Sequence, residues 1–295
     1  MSEDKLTLEA EVRRQIVDTK VTCPFLGSAV QQERLPVRGA TGNPLAEIED
    51  VRVLGNKGPG SDLGDVLVVF AQGNHAFMRG ASGKLDEPVP EGLFSLELPG
   101  SQGSHPGHSG ILERDPKTLG SGRLSMENFD RLEMQAKGGL LKLSDVGGYI
   151  AQNLKRDPDS KVNVAMVADL LAQDLANVLT AAGGAIKVIF FDSTQRAAMA
   201  DRILEEKLTK LLGDDNLVGS SGEFGLLFAF LANSPRTQEL DGEPALSLDD
   251  VRSMFVDKRL PDGWESWRKS RGDWVGYTAH LVRSAHKEFQ RLSGG

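Results

Sequence analysis

Cys23 is the only cysteine in the chain and stands in Thr22-Cys23-Pro24-Phe25-Leu26, where a single thiolate followed by proline can serve as an axial ligand to haem iron. A thiolate ligand pushes electron density onto the metal and favours O–O cleavage, so this step points to peroxide or oxygen activation rather than simple electron transfer. The competing reading is structural, because free cysteine is among the most buried residue types and packs as a small hydrophobe.

Glu223 heads Gly222-Glu223-Phe224-Gly225-Leu226-Leu227-Phe228-Ala229-Phe230-Leu231-Ala232, a segment apolar on nearly every side that reads as a buried helix. One reading puts this carboxylate in the first turn, just after Ser220 and Ser221, where it complements the helix dipole. The other sets it partly desolvated against a cavity, where a raised pKa suits general acid/base work. The loop Ser104-His105-Pro106-Gly107-His108-Ser109-Gly110 carries two of the five histidines. It is an acid/base site, a metal site or an ordinary turn, and as a metal site it lacks a further ligand of suitable spacing. His75, His280 and His286 have no feature that singles them out.

The elements that must position these groups are mainly helical. Residues 5–19 form a polar, weakly amphipathic helix with Leu8, Val12 and Ile16 in step. Residues 44–103 read as a β-rich insertion, with short runs at Val66–Phe70 and Leu93–Leu98 between glycine- and proline-rich turns. Beyond Gly103 the pattern is helical apart from a strand-like run at Ile186–Phe191. Ser125 caps a helix with Met126, Phe129, Leu132 and Ala136 on one face, and Ser144 caps another with Val146, Ile150 and Leu154. Ser247 and Asp250 are spaced as a capping box for a helix burying Leu248, Val251, Met254 and Phe255. A last helix, from Asp273 to Leu292, aligns Trp274, Tyr277, Leu281, Ala285 and Phe289. No internal repeat is evident, and residues 1–295 are read as one domain.

Composition narrows the function classes. The 295 residues hold 34 Lys+Arg against 42 Asp+Glu, a net charge of −8, without a basic run to track phosphates, so nucleic acid is not an expected partner. One cysteine permits no internal disulfide, and the start lacks a basic region followed by an apolar core; the expected compartment is reducing and cytoplasmic. The most apolar stretch, Val162–Phe191, is broken by Asp169, Gln173, Asp174 and Lys187, against a membrane span. Gly55-Asn56-Lys57-Gly58-Pro59-Gly60 lacks a phosphate-loop ending, and Gly219-Ser220-Ser221-Gly222 has its glycines too close for a nucleophile elbow.

Three separated pieces resemble the haem-thiolate peroxidase family, the chloroperoxidases and unspecific peroxygenases. Cys23-Pro24-Phe25-Leu26-Gly27-Ser28-Ala29-Val30 with Leu35-Pro36-Val37-Arg38-Gly39 is similar to that family's cysteine-proline segment and its continuation. Gly107-His108-Ser109-Gly110-Ile111-Leu112-Glu113-Arg114, leading into Leu124–Phe129, resembles its histidine loop and following helix start. Gly222-Glu223 with its apolar helix, then Leu248–Phe255 and Arg259-Leu260-Pro261-Asp262-Gly263-Trp264, resembles its Gly-Glu helix and Arg-Leu-Pro block.

The resemblance implies haem b held by Cys23, with Glu223 as distal acid/base and His108 as its partner. Hydrogen peroxide would then be used to oxidise a small organic substrate or a halide, with Glu223 taking a proton from bound peroxide and returning it to the leaving oxygen. Thr22, Gln31 and Gln32 depart from the family pattern, and Gly107 and Ile111 replace residues that hold a structural cation beside the haem, so that cation is expected to be missing. Asn216 does not supply the arginine of the peroxygenase branch. The alternatives are a haem-binding protein without peroxide chemistry and a haem-free interaction protein on the same fold.

Overall fold

The computed structural model describes residues 6–21, 23–64, 66–68, 93–96, 110–111, 124–156, 162 and 216–294. Over these residues the protein is mainly helical, with two small antiparallel sheets. Helices α1 (Ala10–Thr19) and α2 (Pro24–Gln31) lead into strands β1 (Arg38–Ala40) and β2 (Asn43–Glu47), helix α3 (Ile48–Gly55) and strand β3 (Leu93–Ser95). Helix α4 (Met126–Glu133), strand β4 (Leu140–Lys142) and helix α5 (Leu143–Arg156) follow. After α6 (Asn216–Leu231) come β5 (Gln238–Leu240), β6 (Glu243–Ser247), α7 (Leu248–Phe255) and α8 (Arg271–Leu292).

The capping signals are met unevenly. Ser125 caps α4 as expected, its side chain accepting from the Asn128 amide, and Phe129 and Leu132 are buried. Met126 is instead 43% exposed, and Ala136 lies beyond the helix. Helix α5 starts at Leu143, so Ser144 lies inside its first turn rather than at the cap, while Val146, Ile150 and Leu154 are buried as the periodicity requires. Ser247 is the N-cap of α7 but makes no cap hydrogen bond. The expected capping box is overridden because Asp250 turns to Ser234 Oγ (2.5 Å) and the Arg236 guanidinium (3.2 Å), partners from the turn between α6 and β5. Ser270 caps α8, accepting from the amides of Gly272 and Asp273.

The described residues within 44–103 are less β-rich than expected. Strands β2 and β3 lie there, but α3 separates them in the chain and residues 66–68 are helical, not extended. Val66, Leu67 and Val68 are buried on every side, and a short apolar run with no polar face carries no period to distinguish helix from strand. The strand-like run at Ile186–Phe191 lies outside the described residues.

The structure also reveals an internal repeat that composition conceals. Hairpin β1–β2 pairs Arg38↔Leu45, Gly39↔Pro44 and Ala40↔Asn43; hairpin β5–β6 pairs Gln238↔Ala245, Glu239↔Pro244 and Leu240↔Glu243, the same register moved along the chain by a constant step. In each, the second strand runs directly into a helix through Ile48-Glu49-Asp50-Val51-Arg52 or Leu248-Asp249-Asp250-Val251-Arg252. A third unit, β4 into α5 through Leu143-Ser144-Asp145-Val146, repeats the pattern. Aspartate stands third in all three helices, where it complements the exposed amides of the first turn. Asp145 there accepts from the Lys142 amide at 3.1 Å.

One hydrophobic core runs from Ile16 to Ala285. Helix α8 packs along both α5 and α6. Close approach is possible because small residues face it: a Cβ on Gly225 would overlap the Thr278 side chain and lie 3.1 Å from the Thr278 nitrogen, and one on Gly147 would collide with Ser284. Among the described residues no helix is long and apolar enough to cross a membrane.

Candidate functional site

Cys23 is the N-cap of α2, in extended conformation (φ −75°, ψ 117°), with Pro24 at the first helical position, where its fixed φ suits the helix and its missing N–H costs nothing. The Cys23 carbonyl accepts from the Gly27 amide at 2.8 Å, closing the first turn. Phe25 stacks on Phe230 of α6 (centroids 4.1 Å, interplanar angle 8°) and lies against Trp264 at 5.1 Å. On the next turn Ser28 Oγ donates to the Met254 carbonyl at the end of α7. These contacts hold the thiol at the junction of α2, α6 and the segment after α7.

The residue as a whole is half-buried, while its sulfur lies in a setting where burial pushes the thiol pKa up to about 11. The Leu26 and Phe25 amides favour the thiolate, although neither closes a side-chain cap hydrogen bond. Glu223 raises the pKa further, and Lys258 lowers it. Cys23 and Glu223, distant in the sequence, thus lie close enough for the carboxylate's charge to act on the sulfur.

Glu223 occupies the middle of α6, not the first turn of a helix, because α6 begins at Asn216. Ser220 and Ser221 are buried within the helix and are not its caps. The dipole reading therefore falls, and Glu223 is a half-buried carboxylate in an otherwise apolar helix. Its neighbours are pinned: the Gly222 carbonyl accepts from Trp274 Nε1 at 3.0 Å, and Phe224 meets the Tyr149 ring edge-on at 5.9 Å.

His108 and His105 lie outside the described residues. The end of their loop does not: Gly110 is buried, with φ +73°, and its carbonyl accepts from the Tyr149 hydroxyl at 3.2 Å. The same hydroxyl lies 3.2 Å from the Asn128 carbonyl, and the Ser125 amide donates to the Ile111 carbonyl. A Cβ on Gly110 would press on the Asn153 amide at 3.0 Å, so glycine is required there by both space and φ. His280 stands 3.6 Å from Glu243 on the far part of α8.

Lys258 is the residue that sequence reading missed. It is 5% exposed, adopts φ +54°, and is drawn by burial to a pKa of about 8, with Asp18 and Cys23 opposing that shift and Arg14 adding to it. A lysine just past a helix end normally reaches solvent, so no local signal marks it.

The glycine-rich loop at 55–60 proves to be a structural latch. Gly58 (φ +100°) presses on the Trp267 backbone with no room for a side chain. Lys269, fully buried, donates to the carbonyls of Lys57 (2.7 Å), Trp264 (2.8 Å) and Trp267 (2.8 Å), with its ammonium 3.9 Å from the Trp264 ring centroid.

Among the described residues no group of three or more His, Cys, Asp or Glu side chains converges as a metal cage. Cys23 offers one soft donor at a helix N-terminus, which suits a cofactor that brings its remaining donors with it. No family model and no curated protein matches this chain.

Proposed function

We propose that this protein is a haem-thiolate peroxidase or peroxygenase, with Cys23 as the axial ligand and Glu223 as the acid/base. The observation that supports this reading is that the Glu223 charge acts on the Cys23 sulfur, two residues that the sequence resemblance assigns to one cavity. Haem b, when bound, supplies peroxide cleavage. Cys23 would hold it, helped by the Leu26 and Phe25 amides, which favour the sulfur anion. Glu223, a half-buried carboxylate in an otherwise apolar helix, would take the proton from the peroxide and return it to the leaving oxygen. His108 is the proposed partner of Glu223; it precedes Gly110 by two residues, a step of at most about 7 Å. Gly110 is tied through Tyr149 to Phe224, the residue after Glu223.

A specific observation favours a second reading. A thiol held at about 11 is neutral at physiological pH, as expected of a packed cysteine in a haem-free interaction protein. Metal binding must displace that proton. The ferrous carbon monoxide spectrum of protein prepared with ample haem separates the two. A strongly red-shifted Soret band that is lost in Cys23→Ser supports the peroxidase; no haem band in either protein supports the scaffold. Glu223→Gln then separates an enzyme from a passive haem binder, abolishing turnover in the first and leaving the spectrum of the second unchanged.

A further inference from the structure

We propose that the Lys269 ammonium protects Trp264 from one-electron oxidation; in the haem-thiolate reading, on which this purpose rests, it keeps an oxidising equivalent formed near Cys23 from being lost into the protein.

Trp264 is 1% exposed and packs on Phe25 (centroids 5.1 Å) and Phe230 (5.9 Å). Phe25 follows Cys23 by two residues, and Phe230 lies two helical turns beyond Glu223 on the same face of α6. Indole gives up an electron more readily than a phenyl ring, so Trp264 is the oxidisable member of this cluster. Loss of that electron turns the ring into a radical cation, which then sheds its Nε1 proton. Both steps are opposed. Lys269 Nζ stands 3.9 Å from the ring centroid, held there by the carbonyls of Lys57, Trp264 and Trp267, so a positive charge forming on the ring meets a fixed one across its face. Glu265, next in the chain, is turned to Arg34 at 2.6 Å and does not neutralise the ammonium. The Trp264 N–H is buried and has no acceptor among the described residues, so its proton has no group to receive it. Trp274 is the contrast: it is also buried, but its Nε1 donates to the Gly222 carbonyl at 3.0 Å, a bond that strengthens as the ring becomes positive.

The azide radical, made by pulse radiolysis, takes one electron from an indole and becomes azide ion. In the haem-free protein the vacancy moves among Trp264, Trp267 and Trp274 to the ring where it is least unfavourable; the deprotonated radical traps dioxygen and is located by peptide mass spectrometry. Wild type should carry the product on Trp267 and Trp274. In Lys269→Met the share on Trp264 relative to Trp274 should rise by at least about tenfold, because a unit charge this close to the ring outweighs the screening by the carbonyls. Lys269→Gln replaces that variant should it fail to fold. Ser61→Ala loosens the same latch, withdrawing the hydroxyl from the Lys57 and Trp267 carbonyls, but keeps the ammonium, so its Trp264 share should stay at the wild-type level. An unchanged share in Lys269→Met, or an equal rise in Ser61→Ala, overturns the proposal. In haem-loaded protein treated with hydrogen peroxide, oxidised Trp264 should accumulate in Lys269→Met and not in wild type; equal amounts also overturn it. A protein that takes up no haem sinks the peroxidase reading instead, and the azide-radical arm still decides the Lys269–Trp264 pair.

Discussion

Replacing Lys269 by methionine keeps the buried apolar stem and removes the ammonium that joins Lys57, Trp264 and Trp267. Two of these three carbonyls retain a second donor: the Trp267 amide for Trp264 (3.2 Å), and the single Ser61 hydroxyl proton for Lys57 (2.9 Å) or, alternatively, Trp267 (3.4 Å). The low end of the range for charged donors therefore applies, about 1.5 kcal/mol for each bond. The Trp264 ring face adds about 1 kcal/mol. Against this stands the cost of burying the ammonium, expressed as a pKa lowered from 10.5 to about 8 and equivalent to about 3 kcal/mol. Lys269→Met should thus lose about 2–3 kcal/mol at pH 7, read from urea melts followed by tryptophan fluorescence. The pH dependence has a definite sign. Between pH 8 and 10.5 the unfolded chain binds the Lys269 proton more tightly than the folded one, so wild-type stability relative to the variant should rise across that window. Equal stability at pH 7 would refute the latch, and a difference that shrinks from pH 8 to 10.5 would show the carbonyls, not burial, dominating. Because Trp264 packs on Phe25, the variant should also expose Cys23 to faster alkylation.

Gly225→Ala should destabilise by about 1–2 kcal/mol in thermal melts, since overpacking against Thr278 outweighs a helix-propensity gain of about 1 kcal/mol. Thr278→Ala removes a buried hydroxyl that has no partner among the described residues and should recover part of that loss in the double variant; simple additivity would contradict the tight α6–α8 contact. The Cys23 thiol, raised from 9.0 to about 11, contributes stability that is complete below pH 9 and lost as pH rises through 11. Stability of haem-free wild type relative to Cys23→Ser should therefore fall by about 2 kcal/mol over that window, and a flat difference would mean the sulfur is not desolvated. Tyr149→Phe withdraws the hydroxyl from the Gly110 and Asn128 carbonyls and should cost about 1–2 kcal/mol. If His108 works with Glu223, the same variant lowers peroxidase turnover without moving the Soret band; unchanged turnover would dissociate the Gly110 anchor from the chemistry.

Local pattern was enough to identify the helices bearing Phe129, Ile150, Val251 and Leu281, the Ser125 cap and the strand at Leu93–Ser95, because period and capping are properties of neighbouring residues. It failed where both faces are buried. The Val66–Val68 run has no polar face to set a period, and Glu223 reads as a first-turn residue until α6 is seen to begin at Asn216. The two hairpin units share Gly42/Gly242, Pro44/Pro244 and Asp50-Val51-Arg52/Asp250-Val251-Arg252, a short and scattered likeness that the common register makes evident. Cys23 and Glu223 were visible as reactive residue types, but the effect of the Glu223 charge on the Cys23 sulfur, and the burial of Lys258, are products of tertiary structure. A buried charge is specified by what folds over it from elsewhere in the chain, here α1, α2 and the turn after α7, and no local spacing encodes that enclosure.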